Sequence, residues 1–368
     1  MSAVISSSPI ASGLRSSILP PPAKTPGIRG IFFGTLVSSF FTILGIAVIL
    51  TLLPRVLDWA VFDAVWRVDN GMACREAGAC WAFIAAKSRL ILFGIYPLEE
   101  QWRPQIVITI FLVMALASLP PRLWGRRLVV AWAITFLVVI VLMGGGLFGL
   151  SAVPTSAWGG LPVTLLLASL SLVLAFPMSI ALAVGRRSNL PIARYLSIGL
   201  IEIIRGTPLL SLLFVASILM PLFLPDGWSP DKLMRALVAL TIFSAAYLAE
   251  VVRGGLQDVS DGQSEAARAL GISWFTTMRK IVIPQALRKV IPPLTNTLIV
   301  MIKNTSLVFV VGLFDLLSST RAALADPNWP SPFAEAYLFI GFIYFALCFS
   351  TSLYSAWLEK YLGTPFSR

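Results

Sequence analysis

Four groups of polar residues interrupt otherwise apolar stretches of this chain, and any chemistry would sit there. The first is Glu202 and Arg205, in the run Glu-Ile-Ile-Arg-Gly-Thr-Pro-Leu-Leu from 202 to 210. The second is Glu250 and Arg253, close to Tyr247. The third is Lys303-Asn304-Thr305-Ser306, with Asn296 upstream. The fourth is a basic, soluble-looking patch from 264 to 289. A charge in apolar surroundings is costly unless it is paired or reaches water. Such residues therefore pair, anchor at an interface or face an aqueous space. Catalysis is poorly served. The chain has no histidine, which removes a common general base and metal ligand. It has no Gly-x4-Gly-Lys-Ser/Thr loop to cradle a nucleotide phosphate. Its cysteines, Cys74, Cys80 and Cys348, lack metal-site spacing. No catalytic residue, metal site or cofactor is assigned to this chain.

The basic patch reads as two short helices with a sharp break. Ser264 stands at an N-cap position, and Glu265 puts a carboxylate at the positive end of the first helix. Ala266, Ala267, Ala269 and Leu270 are small or apolar helix formers. Gly271 ends the run, because glycine accepts left-handed geometry. Ser273 can cap a second helix through Trp274, Phe275 and Met278 toward Pro284. Small residues on the first helix would let another protein approach closely, so the pair reads as a docking element. An amphipathic connector between membrane helices is the plainer alternative.

Membrane helices must position these groups. Hydrophobic residues make up 57% of the chain and charged residues 12%, with a mean hydropathy of +0.87. That is far outside a soluble domain. Several apolar runs reach the roughly 20 residues needed to cross a bilayer core. Eight spans are expected, at about 31–53, 105–120, 128–150, 161–184, 198–224, 233–252, 293–314 and 335–357. The fold class is therefore an all-α polytopic membrane protein. The first span lies too deep in the chain for a signal peptide and reads as an anchor. The Ser-, Pro- and Gly-rich tail, 1–30, reads as disordered.

The net charge of +11, from 28 Lys and Arg against 17 Asp and Glu, sits mostly in short loops beside apolar runs. It reads as a topology signal, not a nucleic-acid surface. Arg15, Lys24 and Arg29 precede the first span, and Arg122, Arg126 and Arg127 follow the second. Arg186, Arg187 and Arg194 follow the fourth; Arg253, Arg268, Arg279, Lys280, Arg288 and Lys289 follow the sixth; Lys360 and Arg368 end the chain. All fall on one side if both termini are cytoplasmic. The opposite loops, 151–160, 225–232 and 315–334, are nearly free of cations. The loop 54–104 is the exception, where acids balance Arg55, Arg67, Arg75, Lys87, Arg89 and Arg103. Cys74 and Cys80 lie in it, and could close a small disulfide ring or stay as two thiols. Cys348, in the eighth span, reads as a small apolar residue.

The order Glu265-Ala266-Ala267, three residues, Gly271, nine residues, Ile281-Val282-Ile283-Pro284 resembles the EAA loop of ABC importer permeases. Ile283 stands where that family often carries Leu, an exchange that conserves volume. Residues 156–368 resemble the five-span core of polar amino acid importer permeases. The carriers are Glu202 to Leu210, Ala249-Glu250-Val251-Val252-Arg253-Gly254-Gly255, and Lys303-Asn304-Thr305-Ser306-Leu307. Residues 31–155, with three spans, resemble the front part of the long M-type permease of general L-amino acid importers. Length and Cys74-Arg75…Gly78-Ala79-Cys80-Trp81 carry that likeness.

The resemblance implies a non-enzymatic permease subunit of an ATP-driven importer of polar L-amino acids in a bacterial inner membrane. It implies a coupling loop at about 255–290, whose helix at 264–271 fits a cleft on an ATPase subunit. Ser264, Glu265, Ala266, Ala267, Leu270, Gly271, Ile281 and Pro284 carry that role. ATP and Mg would sit on the ATPase dimer. Further partners would be a homologous second permease and a periplasmic amino-acid-binding protein, with no nucleic acid. Glu202, Arg205, Gly206, Pro208, Glu250 and Arg253 become candidates for gating or packing, with interfacial anchoring the plainer reading of Glu202 and Arg205. Gly206 and Pro208 loosen their helix. Tyr247, Asn296, Lys303, Asn304, Thr305 and Ser306 become candidates for lining the pathway, since an amino acid offers a carboxylate and an ammonium. Helix–helix hydrogen bonding, or Lys303 reaching the interface, is the alternative. Rival readings are a permease for glutamine only or an opine, an ion-coupled carrier, and a membrane scaffold. The carrier predicts inverted repeats and intramembrane acids, which the sequence does not show. The scaffold would not need the coupling loop.

Overall fold

The computed structural model describes residues 27–68, 71–75, 77–225, 230–329 and 332–362. The tail 1–26, with Arg15 and Lys24, lies outside the described residues, as does Arg368. Regular structure among the described residues is helical, apart from short parallel bridges of Val65 with Cys80 and of Gly159–Gly160 with Phe314–Asp315. Among the described residues, seven helices are long and apolar enough to cross a membrane, or eight if one bent pair is a single span.

The chain divides into two units, Met1–Ala64 and Val65–Arg368. The first holds α1 (Ile28–Phe33) and α2 (Leu36–Leu57). Thr35 starts α2 with a capping box: its side chain accepts from Ser38 N at 3.1 Å, and Ser38 Oγ accepts from Thr35 N at 3.0 Å. A π turn, Asp58–Phe62, prolongs the helix, and no residue of α2 is buried. A long, mostly apolar helix with no buried residue suits lipid.

The second unit begins in the expected loop 54–104, which contains a helix, α3 (Trp81–Phe93). Then come α4 (Trp102–Ser118), α5 (Arg126–Gly144) and α6 (Gly160–Arg186), the last about 40 Å long at 1.5 Å per residue. The expected fifth span, 198–224, is broken instead. Helix α7 (Pro191–Gly206) meets the segment Leu209–Leu222, which starts as α8 (Leu209–Phe214), at 106°. Pro208 lacks an N–H and forces its predecessor out of helical geometry, and Thr207 is extended at φ −102°, ψ 132°. Helix α9 (Lys232–Gln257) starts on Asp231, whose carboxylate accepts from Met234 N at 2.8 Å. It runs past the expected end at 252, so Arg253 lies inside it. There follow α10 (Asp261–Ala269), α11 (Trp274–Thr277), α12 (Ile283–Lys289) and α13 (Ile291–Asn304). A 3-10 segment, Thr305–Val311, leads to α14 (Leu316–Leu324) and α15 (Phe333–Leu362).

Four apolar clusters hold this unit among the described residues, the smallest made of Ala175, Ala245 and Leu248. The largest joins Val163, Leu166 and Leu167 of α6 to Leu240 and Phe243 of α9, and takes in Val107, Phe111, Phe136 and Met143 of α4 and α5. Helices α4 and α5 bury their faces there, so the segment 65–155 packs with the rest of this unit. A second cluster unites Phe83 and Ile91 of α3 with Leu316, Trp329 and Ile340 near the start of α6. A third, at the far end of α6, joins Ala183, Val252, Leu256, Val259, Val282 and Ala286.

Candidate functional site

The basic patch folds as a helical hairpin, α10 and α11, whose first cap differs from the sequence reading. The N-cap is Ser260, and Ser264 lies a turn inside α10. Asp261, not Glu265, supplies the first-turn carboxylate. Two Ser-acid pairs, Ser260-Asp261 and Ser264-Glu265, stand one turn apart, and the chain leaves α9 early enough to use the first. At the other end Gly271 sits at φ +69°. Its N–H donates to Arg268 O and Ile272 N–H donates to Ala267 O, both at 2.9 Å, a Schellman stop. Ser273 caps α11, accepting from Thr276 N at 3.4 Å. The second helix continues past Pro284. A π turn, Met278–Val282, carries it into α12, where Pro284 occupies the first turn and needs no N–H partner.

The hairpin has two faces. Glu265, Ala266, Leu270, Trp274, Phe275 and Pro284 are exposed. Ala267, Thr277, Val282 and Ala286 are buried, with Ile281 half-buried. Val282 and Ala286 pack into the third cluster, against α6 and α9. A Cβ on Gly255 would lie 2.5 Å from Val290 Cγ1 and 2.7 Å from Ala286 O, so α9 and α12 touch backbone to backbone. Arg187 Nη1 donates to Leu256 O, and Lys289 to Asp258 O.

Close by, five charged residues from α6, α7 and α9 meet. Glu250 Oε1 accepts from both Arg253 Nε, at 2.8 Å, and Arg253 Nη2. Glu250 Oε2 lies 3.4 Å from Arg186 Nη1 and 3.8 Å from Arg205 Nη1. Arg186 Nη1 also donates to Glu202 Oε1 at 2.9 Å. The Arg205 guanidinium stands 5.8 Å from the centre of the Tyr247 ring, which packs on Phe243. Side-chain exposures run from 24% for Glu250 to 54% for Glu202, so water competes for every pair. The structure thus gathers Glu202, Arg205, Glu250, Arg253 and Tyr247. Arg186 is the member that sequence reasoning missed, since it looked like one more loop cation. Gly206 is exposed with open space around it, and Pro208 starts α8.

The polar run after α13 divides. Thr305 is 1% exposed and donates to Ile302 O at 2.7 Å, so it belongs to the packed interior. Ser306 Oγ donates to Lys303 O at 2.7 Å and stays half-buried. Lys303 and Asn296 are exposed, and Asn304 half-buried. These residues do not join the Glu250 cluster.

The other end of α6 is built differently. Cys74 and Cys80 are joined by a disulfide, with Cα atoms 5.5 Å apart. Buried Cys80 N–H donates to Glu335 Oε1 at 2.7 Å. Arg103, 1% exposed, pairs with Glu100 Oε2 at 2.8 Å and donates to Ser151 O and Oγ, each at 2.8 Å. Lys87 pairs with Asp326. That hydrogen bond, helped by the Asn328 N–H, holds the Asp326 carboxyl below its ordinary range. Burial pushes the Asp315 carboxyl up, opposed by bonds from Ser318 and Leu317 at the start of α14.

Residues 175–363 match the family described as binding-protein-dependent transport system inner membrane component. The chain is 44% identical over 343 residues to the inner membrane amino-acid ABC transporter permease protein YhdY of Escherichia coli strain K12, with 92% of each chain covered. It is 33% identical over 402 residues to the glutamate/glutamine/aspartate/asparagine transport system permease protein BztC of Rhodobacter capsulatus, covering 91% of this chain and 92% of that protein. Among solved structures, an amino acid ABC transporter crystallised with histidines shares 33% identity, with 55% of this chain and 91% of that chain covered and a TM-score of 0.48. The chain therefore belongs to the family of inner membrane components of binding-protein-dependent transport systems, as an ABC transporter permease of the long type.

Proposed function

We propose that this chain is one of two homologous permeases in a bacterial importer of polar L-amino acids. An ATPase dimer, holding ATP and Mg, docks on the α10–α11 hairpin, and a periplasmic amino-acid-binding protein delivers substrate at the disulfide end. Both termini then lie in the cytoplasm. The substrate class is supported by the names of YhdY and BztC.

The observation that carries the mechanism is the two-faced hairpin. Its exposed face offers Leu270, Trp274 and Phe275 to a partner, while the π turn and α12 that continue α11 are locked to α6 and α9 through Val282 and Ala286. Close packing transmits displacement with little loss. The same ends of α6 and α9 carry Arg186 and Glu250. In this reading, movement of the hairpin re-pairs Glu250 among Arg186, Arg205 and Arg253, and shifts α7 against the pathway. Lys303, Asn304 and Ser306, with Asn296 and Tyr247, line that pathway between the two permeases, and Thr305 is packing. Each ion pair here is worth at most about 1 kcal/mol, so re-pairing is nearly isoenergetic.

Replacing Gly271 tests this. A β-branched residue resists φ +69°. In vesicles holding the whole importer, Gly271→Val and Glu265→Lys are expected to retain ATP hydrolysis and lose uptake. Normal uptake in both would overturn the coupling role.

A further inference from the structure

Helix α4 ends at Ser118, and the chain turns through Leu119, Pro120, Pro121 and Arg122 before α5 starts at Arg126. Between this turn and the last turns of α15 lies a groove of about 500 Å³, lined by Pro120, Pro121, Arg122, Tyr354, Trp357 and Tyr361. Its aromatic wall is ordered. Tyr354 stacks on Trp357 at 5.7 Å, and Trp357 on Tyr361 at 5.3 Å. Tyr354 Oη donates to Leu119 O at 2.9 Å and ties the wall to the turn. Trp357 is 45% exposed and Tyr361 57%, so the wall stands open. Two further indoles mark this helix end: Trp124 Nε1 donates to Ser118 O at 2.9 Å, and Trp132 Nε1 to Ser118 Oγ at 3.0 Å. Indoles favour the boundary between hydrocarbon and water.

One cation, Arg122, lines the groove, and three more lie near its lining residues along the chain. Arg122, Arg126 and Arg127 are all exposed, and none of them makes an ion pair among the described residues. Lys360 is exposed on the same segment of α15 as Trp357 and Tyr361. An apolar slot at the membrane boundary, edged by the Arg122 guanidinium and followed by two further arginines, needs an occupant that is apolar in one part and anionic in another. A protein segment would have to bring acids to neutralise several arginines, whereas a lipid carries both parts by construction.

We propose that this groove binds one anionic phospholipid. Its phosphodiester oxygens take the Arg122 guanidinium, which suits paired oxygens. Its glycerol and upper acyl chain lie along the Tyr354–Trp357–Tyr361 stack. A zwitterionic lipid offers the same phosphate but adds an ammonium that the rim repels, so the site selects net negative charge.

The test uses the assembled importer in nanodiscs of equal phosphatidylglycerol and phosphatidylethanolamine, with retained lipid counted by native mass spectrometry. Phosphatidylglycerol is expected to be enriched about fivefold or more, the worth of one cation near an anionic surface. Arg122→Gln abolishes most of that enrichment, and Arg194→Gln, elsewhere among the exposed cations, leaves it. Trp357→Ala lowers phosphatidylglycerol retention without changing assembly. Glycerol phosphate, which lacks acyl chains, does not displace the lipid. Equal retention of the two lipids, enrichment that survives Arg122→Gln, or displacement by glycerol phosphate would overturn the proposal. So would efficient cross-linking of Tyr361→Cys to the second permease in native membranes, since protein would then cover the groove.

Discussion

Near the start of α6 stand three groups shut away from water, Cys80, the Glu335 carboxylate that takes its N–H, and the Arg103 guanidinium, which reaches out to the more exposed Glu100 and Ser151. The end of α6, about 40 Å away along the helix, meets Glu202, Arg205, Glu250 and Arg253, which water reaches. The difference is one of exchangeability. A buried charge that loses its partner is stranded, whereas a half-exposed arginine can trade one carboxylate for another or for water. One end of the bundle is thus built to keep its shape, and the other to change pairing under load. The groups proposed to couple to a partner sit at the exchangeable end.

The largest effect should come from the buried end. Arg103→Ala removes a fully buried side chain with its two charge-assisted hydrogen bonds to Ser151, and is expected to cost about 3–4 kcal/mol of stability. Thermal unfolding of the detergent-purified protein measures this, and an unchanged midpoint would erase the contrast between the ends. Cys74→Ser with Cys80→Ser comes next, at about 2–4 kcal/mol. Its effect should appear in unfolding, while uptake per folded molecule stays near normal. Glu250→Gln belongs to the other end. It should change stability by no more than about 1 kcal/mol, yet lower uptake per ATP hydrolysed about fivefold or more. A large loss of stability there would mean the cluster is structural, like Arg103. The smallest effect concerns Lys87–Asp326. Because the folded carboxyl titrates below its ordinary value, the pair stabilises the protein above about pH 4 and loses that contribution as pH falls through the lower folded value. Asp326→Asn should remove this acid sensitivity, read as protease cleavage between α14 and α15.

The spans were legible in the sequence because the length of an apolar run translates directly into bilayer thickness. At Gly206 and Pro208 the sequence marked a loosened helix but not the size of the bend, since Leu209 to Phe214 is as apolar as a straight helix would be. Helix α3 was hidden by Lys87 and Arg89, which made an ordered, disulfide-linked segment look like a charged loop. Gly271 was readable because a helix stop at positive φ has few substitutes. Its partner cap was misplaced by one turn, because Ser260-Asp261 and Ser264-Glu265 present the same signal. Arg186 was missed for a deeper reason. Its role depends on the α9 carboxylate of Glu250, 64 positions later, and no local pattern encodes a contact of that range.

The contrast between the ends is tested most directly by distances in the assembled importer. With Cys348 replaced by Ser, spin labels at Tyr195→Cys and Arg268→Cys span α7 and α10. Labels at Ala86→Cys and Ala334→Cys span α3 and α15. Pulsed electron paramagnetic resonance is recorded without nucleotide and with the ATPase trapped in its closed state. The first distance distribution is predicted to shift by more than its own width, and the second to stay in place. A second pair that moves as far as the first, or a first pair that does not move, would contradict the account.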